Sequence, residues 1–405
     1  MSAVPPPLRH LAGRILDPDT HEQMPAQVWA GQIGPVMEDL ANHWLNNGLS
    51  CKDELNHPNV PGYTADDKPI DGASIFAQKG CSSPGSVDVR RRLEVMDVMG
   101  VRRQLMFPTA GLFAIYLLYL DPSYGLAKGV KHPDRKAYGY ELMHGYNSWG
   151  KKAAKVSDRI RPVLPVLAET SAELFNTARD LVDNGIRAIW LPSGVLPGGK
   201  SPAHPDHDPF WAMLAKHNVA VLLHGGLDSK IFGSDEWWDV PAFKGFKVFG
   251  EFRLDPWSMA NTPTTSRNFL TTMVLGGVFD RHPMLRFGIF EANADWIGHM
   301  CESLDFLHKQ DLGVVKGQPR ITYRLPDLPS AFIKRNVRVG PFIFEPVDHY
   351  IRQYGLGDVL CFSSDYPHVE GGFDPMVRMY ELIKPFGDEM IEKFFVKNAE
   401  WLLPD

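Results

Sequence analysis

Eight short apolar runs, each followed by a longer amphipathic segment, set the architecture this chain can adopt. The runs lie at 14–19, 101–107, 160–167, 186–192, 219–225, 285–291, 337–342 and 358–364. Most are rich in Val, Ile, Leu and Phe without strict alternation, the pattern of parallel strands buried on both faces. Between them the spacing predicts helices. Val89, Leu93, Met96 and Gly100 recur at helical intervals, as do Leu174, Ala178 and Leu181. Further helical segments lie near 134–157, 208–217, 265–280, 294–308, 345–354 and 374–384. Alternation repeated eight times predicts an α/β fold, a (β/α)8 barrel of the TIM type, with an open doubly wound sheet as the alternative. The first strand–helix connection carries no G-x-G-x-x-G, so a dinucleotide site has no support.

Two stretches interrupt the alternation, and residues 1–405 read as one barrel carrying them as insertions. Residues 35–87, after the first strand, are rich in Asn, Gly, Pro and Asp and fit neither period. Residues 226–262, after the fifth, carry Trp237, Trp238, Phe243, Phe246, Phe249 and Trp257. Both follow strands and should therefore emerge on the C-terminal face, where long loops shape a pocket. Trp237, Trp238, Phe249 and Trp257 are the candidate apolar wall for a substrate. Packing of these rings onto the barrel or into a subunit interface is the competing reading.

Composition narrows the function. A net charge of -6 gives no reason to propose nucleic acid or an anionic membrane as partner. No apolar run approaches the roughly 20 residues of a membrane span. The N-terminal Met1-Ser-Ala-Val-Pro-Pro-Pro lacks the basic and apolar regions of a signal peptide. The expectation is a cytoplasmic protein with a small-molecule substrate, with dimerisation common for such barrels. Cys51, Cys81, Cys301 and Cys361 form no C-x-x-C pair and read as free thiols.

The runs end in residues that carry chemistry. The first closes in Asp19-Thr-His21, the fifth in His224, and the eighth in Asp365-Tyr-Pro-His368. Residues i and i+2 of a strand point the same way, so Asp19 and His21 can both face the barrel axis. Taken alone, Asp19-Thr-His21 reads as a turn with a capping carboxylate; with His224 and Asp365 it reads as a metal site. Imidazole and carboxylate donors suit zinc, manganese or iron better than calcium. The sixth run ends in Glu291-Ala-Asn293. Glu291 is a candidate ligand, bridge between two ions or general base, with an ion pair to a loop arginine such as Arg253 as the alternative. Asn293 shares its strand face and is a candidate hydrogen-bonding partner for substrate. His368 reads as a second ligand, a proton shuttle or a helix-cap residue. His204 and His207, in a turn-rich loop, read as solvated.

With these residues in view, the chain resembles the amidohydrolase-related family of metal-dependent TIM barrels, which includes aminocarboxymuconate-semialdehyde decarboxylase and several aromatic acid decarboxylases. Arg92-Leu-Glu-Val-Met-Asp-Val-Met-Gly-Val, Gly277-Val-Phe-Asp-Arg-His-Pro-Met-Leu-Arg-Phe and Ser364-Asp365-Tyr-Pro-His368 carry the resemblance, which runs from about residue 88 to the end and includes the first strand. It implies metal ligands at Asp19, His21, His224 and Asp365. It implies hydrolysis or non-oxidative decarboxylation of a small cyclic or aromatic acid by metal-activated water, with Asp365 or Glu291 moving the proton. Two departures stand out. The first-strand motif is Asp-x-His rather than H-x-H or E-x-H, and Glu291 replaces the decarboxylases' strand-six histidine. Glu291 and His368 raise the donor set to six, enough for two ions. That leaves a non-haem diiron oxygenase on the same barrel, of the kind found in natural-product pathways, as the alternative function. A non-catalytic barrel is the third possibility.

Overall fold

The computed structural model describes residues 2–47, 66, 68–120, 127, 129–225, 240–243, 248–249, 252–253, 256–309 and 325–405. Its centre is a curled parallel sheet of seven strands: β1 (Ile15–Asp17), β2 (Val101–Met106), β3 (Ile160–Pro165), β4 (Ala188–Trp190), β5 (Ala220–His224), β6 (Arg286–Phe290) and β7 (Val337–Val339). Neighbours in space are neighbours in sequence, and each ladder is parallel. Every residue of β5 and β6 is buried, as expected where the sheet lies inside a ring of helices. The helices begin and end where local chemistry directs. Asp88 caps Val89–Met99 by accepting from the Arg90 amide, and left-handed Gly100 ends it. Thr170 and Glu173 form a capping box on Ser171–Asp183.

The eighth run closes the barrel without forming a regular strand. Leu360 bridges Val339, and Tyr366 bridges Thr20 on the far side. The Val339 amide donates to Val359 O and the Cys361 amide to Val339 O, while His21 donates to Tyr366 O and Asp365 to Asp19 O. A longer ladder cannot form because its backbone groups are already engaged. Asn398 donates to the Gly357 and Leu360 carbonyls, and the Phe362 amide donates to Phe394 O. The fold is thus the expected TIM-type barrel, seven strands plus an irregular closing segment 359–366.

The insertions are only partly described. A helix, Glu38–Asn46, occupies the start of the 35–87 stretch, which composition alone read as aperiodic. Its far end folds against the closing segment: Lys79 Nζ donates to the His368 and Gly372 carbonyls, and Tyr366 Oη to Pro84 O. Within 226–262, the residues described include a two-stranded ribbon of Val248–Phe249 with Phe252–Arg253 and a helix, Pro256–Asn261. Trp237 and Trp238 lie outside the described residues, as does the side chain of Phe249; Trp257 is half-buried on the helix.

Two expectations need correction. Cys301 and Cys361 are buried free thiols, but Cys81 is disulfide-bonded. Bridging depends on Cα separation in the fold, which sequence spacing does not report. His207 is fully buried rather than solvated, its Nδ1 3.1 Å from Ser201 O. Among the described residues, no helix is long and apolar enough to cross a membrane.

Asn398 is buried and holds the closing segment. Replacing it with alanine orphans the Gly357 and Leu360 carbonyls, at a cost on the order of 1–3 kcal/mol each. Denaturant unfolding of Asn398→Ala is expected to record a loss of about 2–6 kcal/mol, the two orphaned carbonyls together; unchanged stability would show that these bonds do not close the barrel.

Candidate metal centre

Six side chains meet at the C-terminal mouth of the barrel. Asp19 and His21 continue β1, His224 ends β5, Glu291 follows β6, and Asp365 and His368 lie on or just past the closing segment. All six are buried. One quartet joins Asp19, His21, His224 and Glu291; a second joins His21, Glu291, Asp365 and His368; the donor atoms of each lie within 4.8 Å of one another. His21 Nε2 is 3.5 Å from Asp19 Oδ1, from Glu291 Oε1 and from Asp365 Oδ1. His224 Nε2 is 3.5 Å from Asp19 Oδ1 and 3.6 Å from Glu291 Oε1. His368 Nδ1 is 3.2 Å from Asp365 Oδ1 and 3.6 Å from Glu291 Oε1. The resemblance grouped Asp365 with Asp19, His21 and His224; in the structure Asp365 meets His21, Glu291 and His368, and Glu291 and His21 are common to both groups.

These separations are long for charge-assisted hydrogen bonds, which run about 2.7–2.9 Å. They match the edge of a tetrahedron with metal–donor bonds of about 2.1 Å, roughly 3.4 Å. Asp19 Oδ1, His21 Nε2, His224 Nε2, Glu291 Oε1 and both Asp365 oxygens are buried with no hydrogen-bond partner. Buried polar atoms are ordinarily satisfied, and unpaired carboxylates above all, so a converging set of bare donors fits a cation. The tautomer agrees: His224 Nδ1 sits 3.1 Å from Gly225 O, which leaves the Nε2 lone pair facing the cluster. The His21 ring stacks on His368 at 3.8 Å and meets His224 edge-on at 5.0 Å. Phe107, 4.5 Å from the His224 ring, and Trp190, at 6.3 Å, supply an apolar flank.

The backbone at the ligands is unusual. Glu291, Asn293 and Asp365 have φ of 47°, 51° and 53°, the left-handed region that non-glycine residues rarely occupy. Each of the two carboxylate residues is crowded by a glycine. A Cβ on Gly225 would lie 2.0 Å from Glu291 O, and one on Gly371 would lie 2.1 Å from Ser364 O. Asn293 donates from Nδ2 to Met259 O at 2.9 Å, which leaves its buried Oδ1 unpaired.

The family model described as amidohydrolase matches residues 143–404, well over half of the chain. The chain belongs to the amidohydrolase family. It is a metal-dependent enzyme of that type, and its mouth offers a site for a divalent ion. No curated protein matches it. Among solved structures, it is similar to the amidohydrolase map2389c of Mycobacterium avium subsp. paratuberculosis K-10, at 20% identity and a TM-score of 0.60, covering 80% of this chain and 76% of that one. It is also similar to the Metarhizium anisopliae IDCase, at 15% identity and 0.55, covering 96% and 97%. A third is the 5-carboxyvanillate decarboxylase of Novosphingobium aromaticivorans DSM 12444, complexed with manganese and 4-hydroxy-3-methoxy-5-nitrobenzoic acid, at 17% and 0.53, covering 96% of both chains.

Residues that sequence reasoning passed over surround this amidohydrolase mouth. Asp17 accepts from the Ser364 amide at 2.9 Å and its hydroxyl at 2.6 Å. Glu22 accepts from the amides of Thr109 and Ala110 at 2.8 and 2.7 Å. Arg92 donates to the His21 and Gly85 carbonyls. The signal available for Asp17 was its position two residues before Asp19, on the same strand parity.

Burial, then the charge of Glu291, raises Asp365 to about 7 when no metal is bound. For His224, burial works downward, but Glu291 and Asp19 outweigh it and raise the imidazole to about 10. Both groups must lose a proton to bind a cation, so protons compete with metal below these values. Metal affinity is therefore expected to rise from about pH 6 to about pH 8, with acidification of a weakly buffered solution on adding manganese. Calorimetry showing pH-independent affinity would remove these groups from the ligand set.

Proposed function

We propose that the protein is a carboxylate-bridged dinuclear iron enzyme that uses dioxygen to hydroxylate a small, largely apolar cyclic or aromatic substrate. The observation that carries this reading is the pair of overlapping quartets, which share Glu291 and His21; of the two shared residues only the carboxylate has two oxygens with which to bridge. Asp19, His21 and His224 would hold one ion, Asp365 and His368 the other, and Glu291 would span them. The charge count supports two ions. Three carboxylates leave one net negative charge against one divalent ion and one net positive charge against two, which a bound anion can match. Three carboxylates and three imidazoles, including the Asp365-x-x-His368 spacing, form a donor set akin to that of diiron carboxylate proteins.

When bound, such a pair supplies redox chemistry toward dioxygen; inserting one oxygen atom and reducing the other to water takes two electrons and two protons from an external reductant. The chain's own residues do the rest. Phe107 and Trp190 present apolar surface beside His224 for the substrate. Asn293 Oδ1 is free to accept a hydrogen bond from a substrate donor. His368 Nε2 lies 3.4 Å from Thr109 Oγ1, a route for a proton to leave the mouth.

Family membership favours a second reading, hydrolysis or decarboxylation of a small cyclic or aromatic acid with one zinc or manganese and Glu291 as base. An ionised Glu291 suits a base for hydrolysis but offers no proton for decarboxylation: burial would raise its pKa, but His224 and the neighbouring imidazoles hold it well below the usual range. Protein purified without added metal is expected to carry about two irons per chain, falling toward one in Glu291→Gln because an amide bridges poorly. One zinc or manganese per chain, with occupancy retained in Glu291→Gln and kcat reduced by about 10²–10⁴, would transfer the conclusion to the second reading.

A further inference from the structure

The strained residue at the centre of this site has a brace that belongs to neither quartet. Glu345 lies in the loop after β7 and is buried. Its Oε2 accepts from the Ala294 amide at 2.8 Å and from Tyr350 Oη at 3.3 Å, and its Oε1 accepts from the Phe342 amide at 2.7 Å. Ala294 stands three residues after Glu291, between two left-handed residues and the helix Asp295–Lys309. The carboxylate thus ties the turn that aims Glu291 to the neighbouring barrel loop. Asp17 does the equivalent for the residue beside Asp365, and Glu22 joins the residue beside His21 to the loop after β2. Asp17 and Glu22 adjoin ligands in sequence; Glu345 does not, so it can be altered without touching a donor.

We infer that Glu345 is a positioning residue that fixes the turn 291–294 and thereby the direction of the Glu291 carboxylate into the metal centre. The inference rests on the reading above, in which Glu291 is a ligand. A left-handed backbone at Glu291 and Asn293 reverts toward commoner conformations unless neighbouring groups hold it. The other ties on this turn are different in kind. Trp296 Nε1 donates to the Ala292 and Asn293 carbonyls, and Asn293 Nδ2 to Met259 O. Among the described residues, the bond to Glu345 is the one that links the turn to the β7 loop through a side-chain carboxylate. A carboxyl group with both oxygens engaged as acceptors sets distance and direction together.

The test measures manganese affinity of the metal-stripped full chain by calorimetry for wild type, Glu345→Ala, Glu345→Gln and Leu214→Ala. Leu214 is a buried core residue on the helix Asp208–Lys216, on the outer layer of the barrel, and its replacement destabilises without touching the mouth. Affinity is expected to fall about 10–100-fold in Glu345→Ala, the usual effect of removing a partner that orients a ligand. Glu345→Gln keeps the shape but can accept through one oxygen only, so it covers the case in which the alanine variant does not fold and should weaken binding in the same direction. Leu214→Ala should melt lower yet bind manganese as wild type does. Wild-type affinity in both Glu345 variants, or an equal loss in Leu214→Ala, would overturn the inference. Hydrogen exchange without metal provides the second readout, with the Ala294 amide expected to exchange at least about tenfold faster in Glu345→Gln. Wild type that takes up no metal sinks the proposed function. The brace is then judged by exchange alone, and an unchanged Ala294 amide sinks it too.

Discussion

Three carboxylates and three imidazoles are buried together at the mouth of the barrel, and the surrounding structure answers to that fact. Bringing Asp19, Glu291 and Asp365 out of water costs several kcal/mol per ion unless a positive charge meets them. The protein spends no lysine or arginine contact on them among those described. Lys79 and Arg92, both buried nearby, point their donors at backbone carbonyls of the loops instead. The inner carboxylates are left for a cation, and the basic side chains hold the frame in which it sits.

A second layer of acids behaves in the opposite way. Asp17, Glu22 and Glu345 are as buried as the inner set, yet their oxygens are filled by amide and hydroxyl donors. Burial raises Asp17 and Glu345 to about 7 despite those bonds. Hydrogen-bond accounting thus separates two kinds of acid that composition cannot: bare donors aimed at one point, and saturated acceptors that stitch one strand-end loop to the next. The stitching has work to do, since Glu291, Asn293 and Asp365 hold conformations costing on the order of 1–3 kcal/mol each. Gly225 and Gly371 leave room for that geometry, and no larger residue fits beside it without a shift.

Glu291 is where family and individual chemistry part. An imidazole at that position would exchange a proton near neutral pH. A carboxylate held ionised by His224, His21 and His368 does not, but it has two oxygens to share between neighbouring ions. On the proposed reading, a carboxylate at the end of β6 gives the site a bridge where an imidazole would give it an acid.

The sequence by itself determined the barrel and the kind of residue at its mouth. Short unbroken apolar runs such as Val219–Leu223, bounded by turn residues, fit strands buried on both faces, and repetition of strand and helix leaves few arrangements. Asp19, His21, His224, Glu291, Asp365 and His368 were legible because each stands where an apolar run stops, and strand parity gives side-chain direction locally. Tertiary structure alone decided how those six divide. Asp19 meets His224 and Glu291, and Asp365 meets His21 and Glu291, because barrel closure, not spacing, sets distances between residues far apart in the chain. The eighth run lost its regular ladder to Asn398 and to the carbonyl of Phe394, partners that no periodicity announces. Glu345 was invisible for the same reason. A local pattern fixes which way a side chain points, but only the closed barrel fixes what it meets there.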